Sequence, residues 1–350
     1  MKLKLSILLL LISFVTVKIF SQKISPAHTG VDFLKENNFK KAFERAKAEN
    51  KKVFVEVYAV GCSHCEAYVP TFDKPEVGEF YNKNFISCKL NIIDTAEAKF
   101  LTQQKIWIPS TPTMCFFDEN QNLMHITTAG DEQNSIAGVL NFAKVALDNN
   151  KNSASYPTRY KAGGYDQTFL YSYAFYARMT KDTLTNKNLM LEYAKNEPED
   201  KYPSPLNFLI IQKVVMDEEN PMVTYMANHL SDYYKNNDAK EVNTALENIM
   251  MYAYYGAKGR KFSKEKRNLI KDNLRKIKIK EKDISARFIY FDVTDFLDNN
   301  QVDEALESLR LHYANKVIPE PEIELWTKEF TKRNKDSSGI SKLSVVANNK

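Results

Sequence analysis

The chain runs from Lys51-Lys52 through Val53-Phe54-Val55 and Val57-Tyr58-Ala59, crosses Val60-Gly61, and then sets two thiols around two residues in Cys62-Ser63-His64-Cys65. This order constrains the fold more than any other feature. A short apolar run bounded by charge reads as a buried strand, and the loop after it delivers Cys62 to the start of a helix. There the unpaired backbone N–H groups and the helix dipole favour a thiolate. Cys62 is therefore the expected reactive sulfur, and Cys65, one turn inside, its partner in a reversible dithiol/disulfide couple. A zinc knuckle shares this spacing but needs a second ligand pair. None follows, because Cys88 and Cys115 stand singly in apolar runs and the five histidines are scattered. Neither a metal nor another cofactor is expected.

Lys2 and Lys4 precede an apolar core from Leu5 to Val17, followed by Ile19-Phe20-Ser21-Gln22. This is the order of a secretory signal peptide, read as residues 1–21 with cleavage after Ser21, and it predicts an exported, periplasmic protein. The core is shorter than the roughly 20 residues of a membrane span, so membrane attachment is expected only if the segment stays uncleaved as an N-terminal anchor. Removing its three basic residues from the chain's 49 leaves 46 against 44 acids. That near-neutral balance gives no reason to expect a nucleic-acid partner. Four cysteines in an exported chain of this size argue against a disulfide scaffold.

Residues 31–150 alternate helical and strand patterns. Residues 31–49 are charged and amphipathic, 52–59 a strand, 62–72 a helix containing Pro70, and 75–83 a short helix. A strand at 85–93, a helix at 94–104, strands at 112–117 and 123–128 and a helix at 132–148 complete an α/β unit. Residues 149–155, polar and small, read as a linker, so the α/β unit is expected to fold alone. From 156 to 333 the period is helical throughout, with eight or nine helices expected from residue 166. Val242, Ala245, Leu246, Ile249 and Met250 form one apolar face behind the capping pair Asp238 and Glu241. An irregular TPR-like solenoid and an ordinary bundle are the two arrangements considered, the first implying a protein partner. Lys258 to Asp283 carries twelve basic against four acidic residues, read as a solvated face or, alternatively, a contact for an acidic protein or membrane. Residues 334–350 read as a disordered tail.

Glu56 is a lone carboxylate in the apolar strand six residues before Cys62. Burial would raise its pKa and let it exchange a proton with Cys65, whereas an exposed strand end would leave it idle. Lys89, on the strand of Cys88, is the natural cation beside it. Thr111-Pro112 precedes the apolar run Met114-Cys115-Phe116-Phe117, and a cis Pro112 would present backbone groups beside the sulfurs to an extended substrate.

These residues resemble the thioredoxin superfamily, most closely the thioredoxin-like C-terminal domain of bacterial periplasmic thiol:disulfide interchange proteins of the DsbD type. Glu56 stands where the family usually has an acid, Pro70 matches its helix proline, and Lys89-Leu90-Asn91-Ile92 matches its lysine-bearing strand. Thr111-Pro112-Thr113 matches its cis-proline turn, and Thr71 to Val77 resembles the segment after the active helix. The likeness spans about 120 of 350 residues and leaves the helical half unassigned. It implies a mixed sheet flanked by helices and a protein-disulfide oxidoreductase, acting on protein disulfides with a thiol redox partner and favouring reduction. In that strand order Cys88 and Cys115 lie on opposite sides of the active-site strand, two spacings or about 9.5 Å apart. This exceeds the roughly 7 Å limit for a bridge, so both read as small buried hydrophobes.

Two positions depart from the family. Gly61 replaces a common tryptophan. His64 replaces proline between the cysteines, and a cationic imidazole there would stabilise the Cys62 thiolate and make the disulfide a stronger oxidant. The opposing class of function is a helical partner-binding or chaperone-like protein carrying a thioredoxin-like module with little turnover.

Overall fold

The computed structural model describes residues 29–35, 38–256, 259–314 and 317–340. The expected leader 1–21 and the tail beyond Ile340 lie outside them. Four strands form one sheet in the order β2-β1-β3-β4. β1 (Lys52–Tyr58) pairs in parallel with β2 (Phe85–Asn91) and antiparallel with β3 (Thr113–Phe117), which pairs antiparallel with β4 (Leu123–Thr128).

β1 is apolar on both faces because both are covered. Val53, Val55 and Val57 point into a cluster with Ala42, Phe43 and Ala46 of α1 (Phe39–Glu49) and Phe100 and Leu101 of α4 (Thr95–Gln103). Phe54, of the opposite parity, meets Tyr68 and Phe72 of α2 (Ser63–Phe72), Tyr81 of α3 (Pro75–Asn84) and Phe142 of α5 (Ile136–Leu147). The result is a thioredoxin-like α/β domain. Helix α1 is shorter than the amphipathic pattern from residue 31 predicts. Val31 N–H donates to the Phe72 carbonyl and Phe33 bridges Ser87 in extended conformation, so those apolar residues serve the sheet, and Asn38 caps the helix.

The helical region comprises α6 (Tyr156–Ala162), α7 (Gln167–Met179), α8 (Thr183–Asn196), α9 (Pro205–Lys213), α10 (Pro221–Asn228), α11 (Leu230–Tyr234), α12 (Ala239–Tyr255), α13 (Lys264–Lys276), α14 (Glu281–Asp298), α15 (Val302–His312) and α16 (Glu320–Lys332). Asp238 caps α12 as its sequence predicts, accepting from the Glu241 amide at 3.0 Å. The pairs α7–α8 and α14–α15 are hairpins whose turns each carry a left-handed residue, Lys181 and Asn300. Helix lengths run from 5 to 18 residues, with no common repeat length among the described residues. Helix α14 joins two cores, placing Ile284 and Phe288 in one and Val293 and Leu297 in the next. No helix among the described residues is long and apolar enough to cross a membrane.

Two expectations need correction. Residues 149–155 are exposed at Asn149 to Lys151 and at Ala154, but the segment is tied to the sheet in its middle. Asn152 and Ser153 are buried, and the Ser153 hydroxyl lies 2.7 Å from Nδ1 of buried His125 on β4. Small polar side chains that mimic a linker in composition are also those that can approach a strand edge closely and satisfy its polar groups. Beyond this junction, Met179 of α7 packs within the β1 cluster, and the Trp107 amide donates to its carbonyl at 2.7 Å. The two regions therefore share a core. Likewise, ordered packing does not stop at residue 333, because Ile340 is buried among Trp326, Phe330 and Leu309. An aliphatic side chain this well covered anchors the segment that its polar neighbours suggest is loose.

Among the described residues, four basic side chains of this stretch pair with acids within the fold. Lys266 meets Glu218 and Glu219, Arg267 meets Asp295, Lys271 meets Asp292, and Arg275 meets Asp272 and Glu281.

Candidate active site

Gly61 adopts φ +79°, a left-handed conformation that turns the chain sharply from β1 into α2. A tryptophan there would be strained. Cys62 follows as the N-cap, its sulfur accepting the Cys65 amide at 3.2 Å. Cys62 and Cys65 are joined in a disulfide with a Cα–Cα distance of 5.3 Å. Cys62 is half-buried and Cys65 only 5% exposed. One sulfur is thus accessible and the other shielded.

Thr111 and Pro112 come to the same place from the start of β3. Their peptide bond is cis. The Thr111 carbonyl oxygen lies 3.7 Å from Cys62 Sγ, and the Thr111 hydroxyl donates to that sulfur at 3.4 Å. Ala129 N–H donates to the Pro112 carbonyl at 3.0 Å, and the Thr113 hydroxyl to the Ser110 carbonyl at 2.7 Å, holding this turn against β4.

Glu56 is 1% exposed and sits beside Lys89 across the β1–β2 ladder, with Nζ to Oε2 at 3.0 Å. Its parity puts it on the Phe54 face, the face that α2 covers. Burial raises its carboxyl pKa, and attraction to Lys89 opposes that only in part. Lys89 keeps access to water and lies over the Phe33 ring at 4.7 Å. Cys88 and Cys115 both pair with Val55 from opposite sides and remain free, buried thiols. Burial pushes the Cys88 thiol up to about 12 and the Cys115 thiol higher still, so neither is a nucleophile.

His64 projects from α2 into solvent, with Nδ1 2.8 Å from Oδ1 of Asp131. Asp131 lies in a strap between β4 and α5 that sequence reasoning missed. Tyr68 OH donates to the Gly130 carbonyl at 2.6 Å, the Thr71 hydroxyl to Asn134 Oδ1 at 2.7 Å, and Asn134 Nδ2 to the Ala67 carbonyl at 2.8 Å. No local pattern signals these contacts, because the partners are more than sixty residues apart. Among the described residues, the acids close enough to share an ion are Asp217, Glu218 and Glu219, and Lys187 and Lys266 already pair with them.

The arrangement can exchange disulfides: an accessible sulfur at a helix N-terminus, a shielded resolving sulfur, and a buried carboxyl on the same side of the sheet. The profile of a thioredoxin-like family matches residues 35–119, in agreement with this geometry. No curated protein matches the chain. A crystal structure described as a disulphide isomerase from Xylella fastidiosa Temecula1 is 17% identical, over 33% of this chain and 96% of that one, with a TM-score of 0.28.

Proposed function

We propose that this chain is an exported thiol:disulfide oxidoreductase that reduces disulfides in other proteins. The observation that carries the reading is the Cys62–Cys65 disulfide at the head of α2, with Cys62 open beside Thr111 and Cys65 shielded. In the reduced form the Cys62 thiolate attacks a substrate disulfide, forming a mixed disulfide and expelling one substrate thiolate. Glu56 accepts the Cys65 proton, and the Cys65 thiolate then attacks Cys62 Sγ and expels the second substrate thiolate. Two electrons pass to the substrate and the internal disulfide forms. A thiol redox partner must return the dithiol.

The reductive direction draws on the resemblance of Glu56, Pro70, Lys89 and Thr111-Pro112 to reductive periplasmic domains of the DsbD type. Export, into the periplasm or as a membrane-anchored form, draws on the pattern of residues 1–21. Trapping tests the roles of the sulfurs. Cys65→Ser should accumulate mixed disulfides with substrate proteins and Cys62→Ser none, read by mass spectrometry of the adducts. Equal trapping by both would remove the assigned roles, and a wild-type protein without turnover on any disulfide would favour the helical partner-binding alternative.

A further inference from the structure

Along β4, the edge strand of the sheet, lies a cleft of about 420 Å³ that neither the disulfide nor the strap uses. Ile126 and Thr128 of β4 form one side. Phe175 of α7 and Leu206 and Leu209 of α9 form the other. Pro109 and Ser110 also line it, and Ser110 is the residue before Thr111, whose carbonyl and hydroxyl lie within 3.7 Å of Cys62 Sγ. The cleft's lining thus reaches to within one residue of the Thr111 contact with Cys62.

Its chemistry is apolar. Among its lining residues Lys213 is the only charged one, since burial holds His125 neutral with a pKa lowered to about 4. Leu206 and Leu209, three apart on α9, are 57% and 49% exposed, and together they form an uncovered apolar rim. The edge of β4 is not open for backbone pairing at Ile126. The Ser153 hydroxyl takes its amide at 3.4 Å and lies 3.5 Å from its carbonyl. What the cleft offers a ligand is therefore burial of apolar side chains rather than an added strand.

We infer that this cleft binds an extended apolar stretch of the substrate polypeptide, within a few residues of the cysteine that Cys62 attacks. A chain whose disulfide meets Cys62 lies along Thr111, and an extended chain advances about 3.3 Å per residue, so its next residues pass Ser110 into the cleft. The helical region then contributes to substrate choice through α7 and α9 and takes no part in the sulfur chemistry. The inference rests on Cys62–Cys65 being the exchanging couple.

The test uses the full chain, two peptides and one small disulfide. Both peptides carry one cysteine as a mixed disulfide with glutathione, flanked by Leu, Val and Phe in one and by Ser and Gly in the other. Hydroxyethyl disulfide is the small substrate. The wild type should favour the apolar peptide in kcat/KM by about tenfold or more, the range expected for loss of one or two buried apolar contacts. The exposed-site double variant Leu206→Asp with Leu209→Asp should lose that preference while reducing hydroxyethyl disulfide at the wild-type rate. Binding is read separately by fluorescence anisotropy, with the apolar peptide bearing serine for cysteine and the oxidised protein, and the variant should bind it about tenfold more weakly. Turnover of hydroxyethyl disulfide without peptide preference would overturn the cleft and leave the redox reading standing. Leucine-dependent binding without any turnover would support the cleft and overturn the redox reading, whereas equal loss of all rates in a variant whose circular dichroism and urea midpoint match the wild type would overturn recognition by α9.

Discussion

His64 and Asp131, 67 residues apart in the chain, meet at 2.8 Å on the exposed side of α2, with His64 two residues after Cys62. Both side chains are well exposed, so the pair adds little to stability, and its effect should fall on the thiolate. Removing the imidazole in His64→Pro should make the couple more reducing by tens of millivolts, about 30 mV for each tenfold change in the exchange equilibrium. Asp131→Asn should move it the opposite way, because one negative charge near the thiolate is lost. Equilibration with glutathione buffers measures both. Unchanged potentials in both variants would show that solvent screens the pair from Cys62.

Glu56 makes a different prediction because it is buried. A carboxyl whose pKa is raised on folding contributes stability that is present below the unfolded value and is lost as pH rises through the folded one. Glu56→Gln removes that penalty. The variant should therefore lose less stability than the wild type as pH rises above the ordinary carboxylate range. Its Cys65-dependent release of mixed disulfides should slow on the order of 100-fold. Urea unfolding and stopped-flow release measure the two effects, and a variant that loses more stability over that range would mean the Lys89 pairing outweighs the burial.

His125 carries the opposite sign. Its folded pKa, lowered to about 4 by burial, lies below the unfolded value near 6.5. The unfolded chain binds the extra proton between these values, so stability is full above about pH 6.5 and declines as pH falls toward 4. The loss reaches about 3 kcal/mol at most. His125→Gln keeps a polar partner for Ser153 and should flatten the slope between pH 6.5 and 4.5, as read by urea midpoints. A wild-type slope retained in the variant would assign it to carboxylates elsewhere.

Much of the sheet and of the sulfur site is legible in the chain, and the reason is local. β1, β2 and β3 are apolar runs with turn residues at their ends, and Cys62 announces a helix start through Gly61 and its own spacing from Cys65. Glu56 and Lys89 are legible as a lone acid and a lone cation in neighbouring apolar strands, and their contact follows from the β1–β2 register. What is not legible depends on a single distant partner. Ser153 looks like linker until it meets the neutral ring of His125, Met179 looks like one more residue of an amphipathic helix until it enters the sheet core, and Asp131 has no pattern at all. Periodicity shows which face of an element is buried but not which element covers it.

Met179 and Ser153 yield the last prediction, which reverses the expectation of an autonomous domain ending near Asn150. A chain cut there loses the Ser153 hydroxyl from His125 and the Met179 side chain from the cluster around Ile106 and Phe100. The first loss leaves a buried ring nitrogen without its partner, at about 1–3 kcal/mol, and the second opens a void against β1, at about 2–5 kcal/mol for a buried methionine. Residues 29–150 alone should therefore exchange β4 amide hydrogens faster than the full chain does. Met179→Ala in the full chain should reproduce part of that acceleration while leaving α14–α16 as protected as before, since their core is separate. Identical β4 protection in the cut and full-length chains would restore the independent domain, and with it the view that the helical region is an attached module rather than a wall of the α/β core.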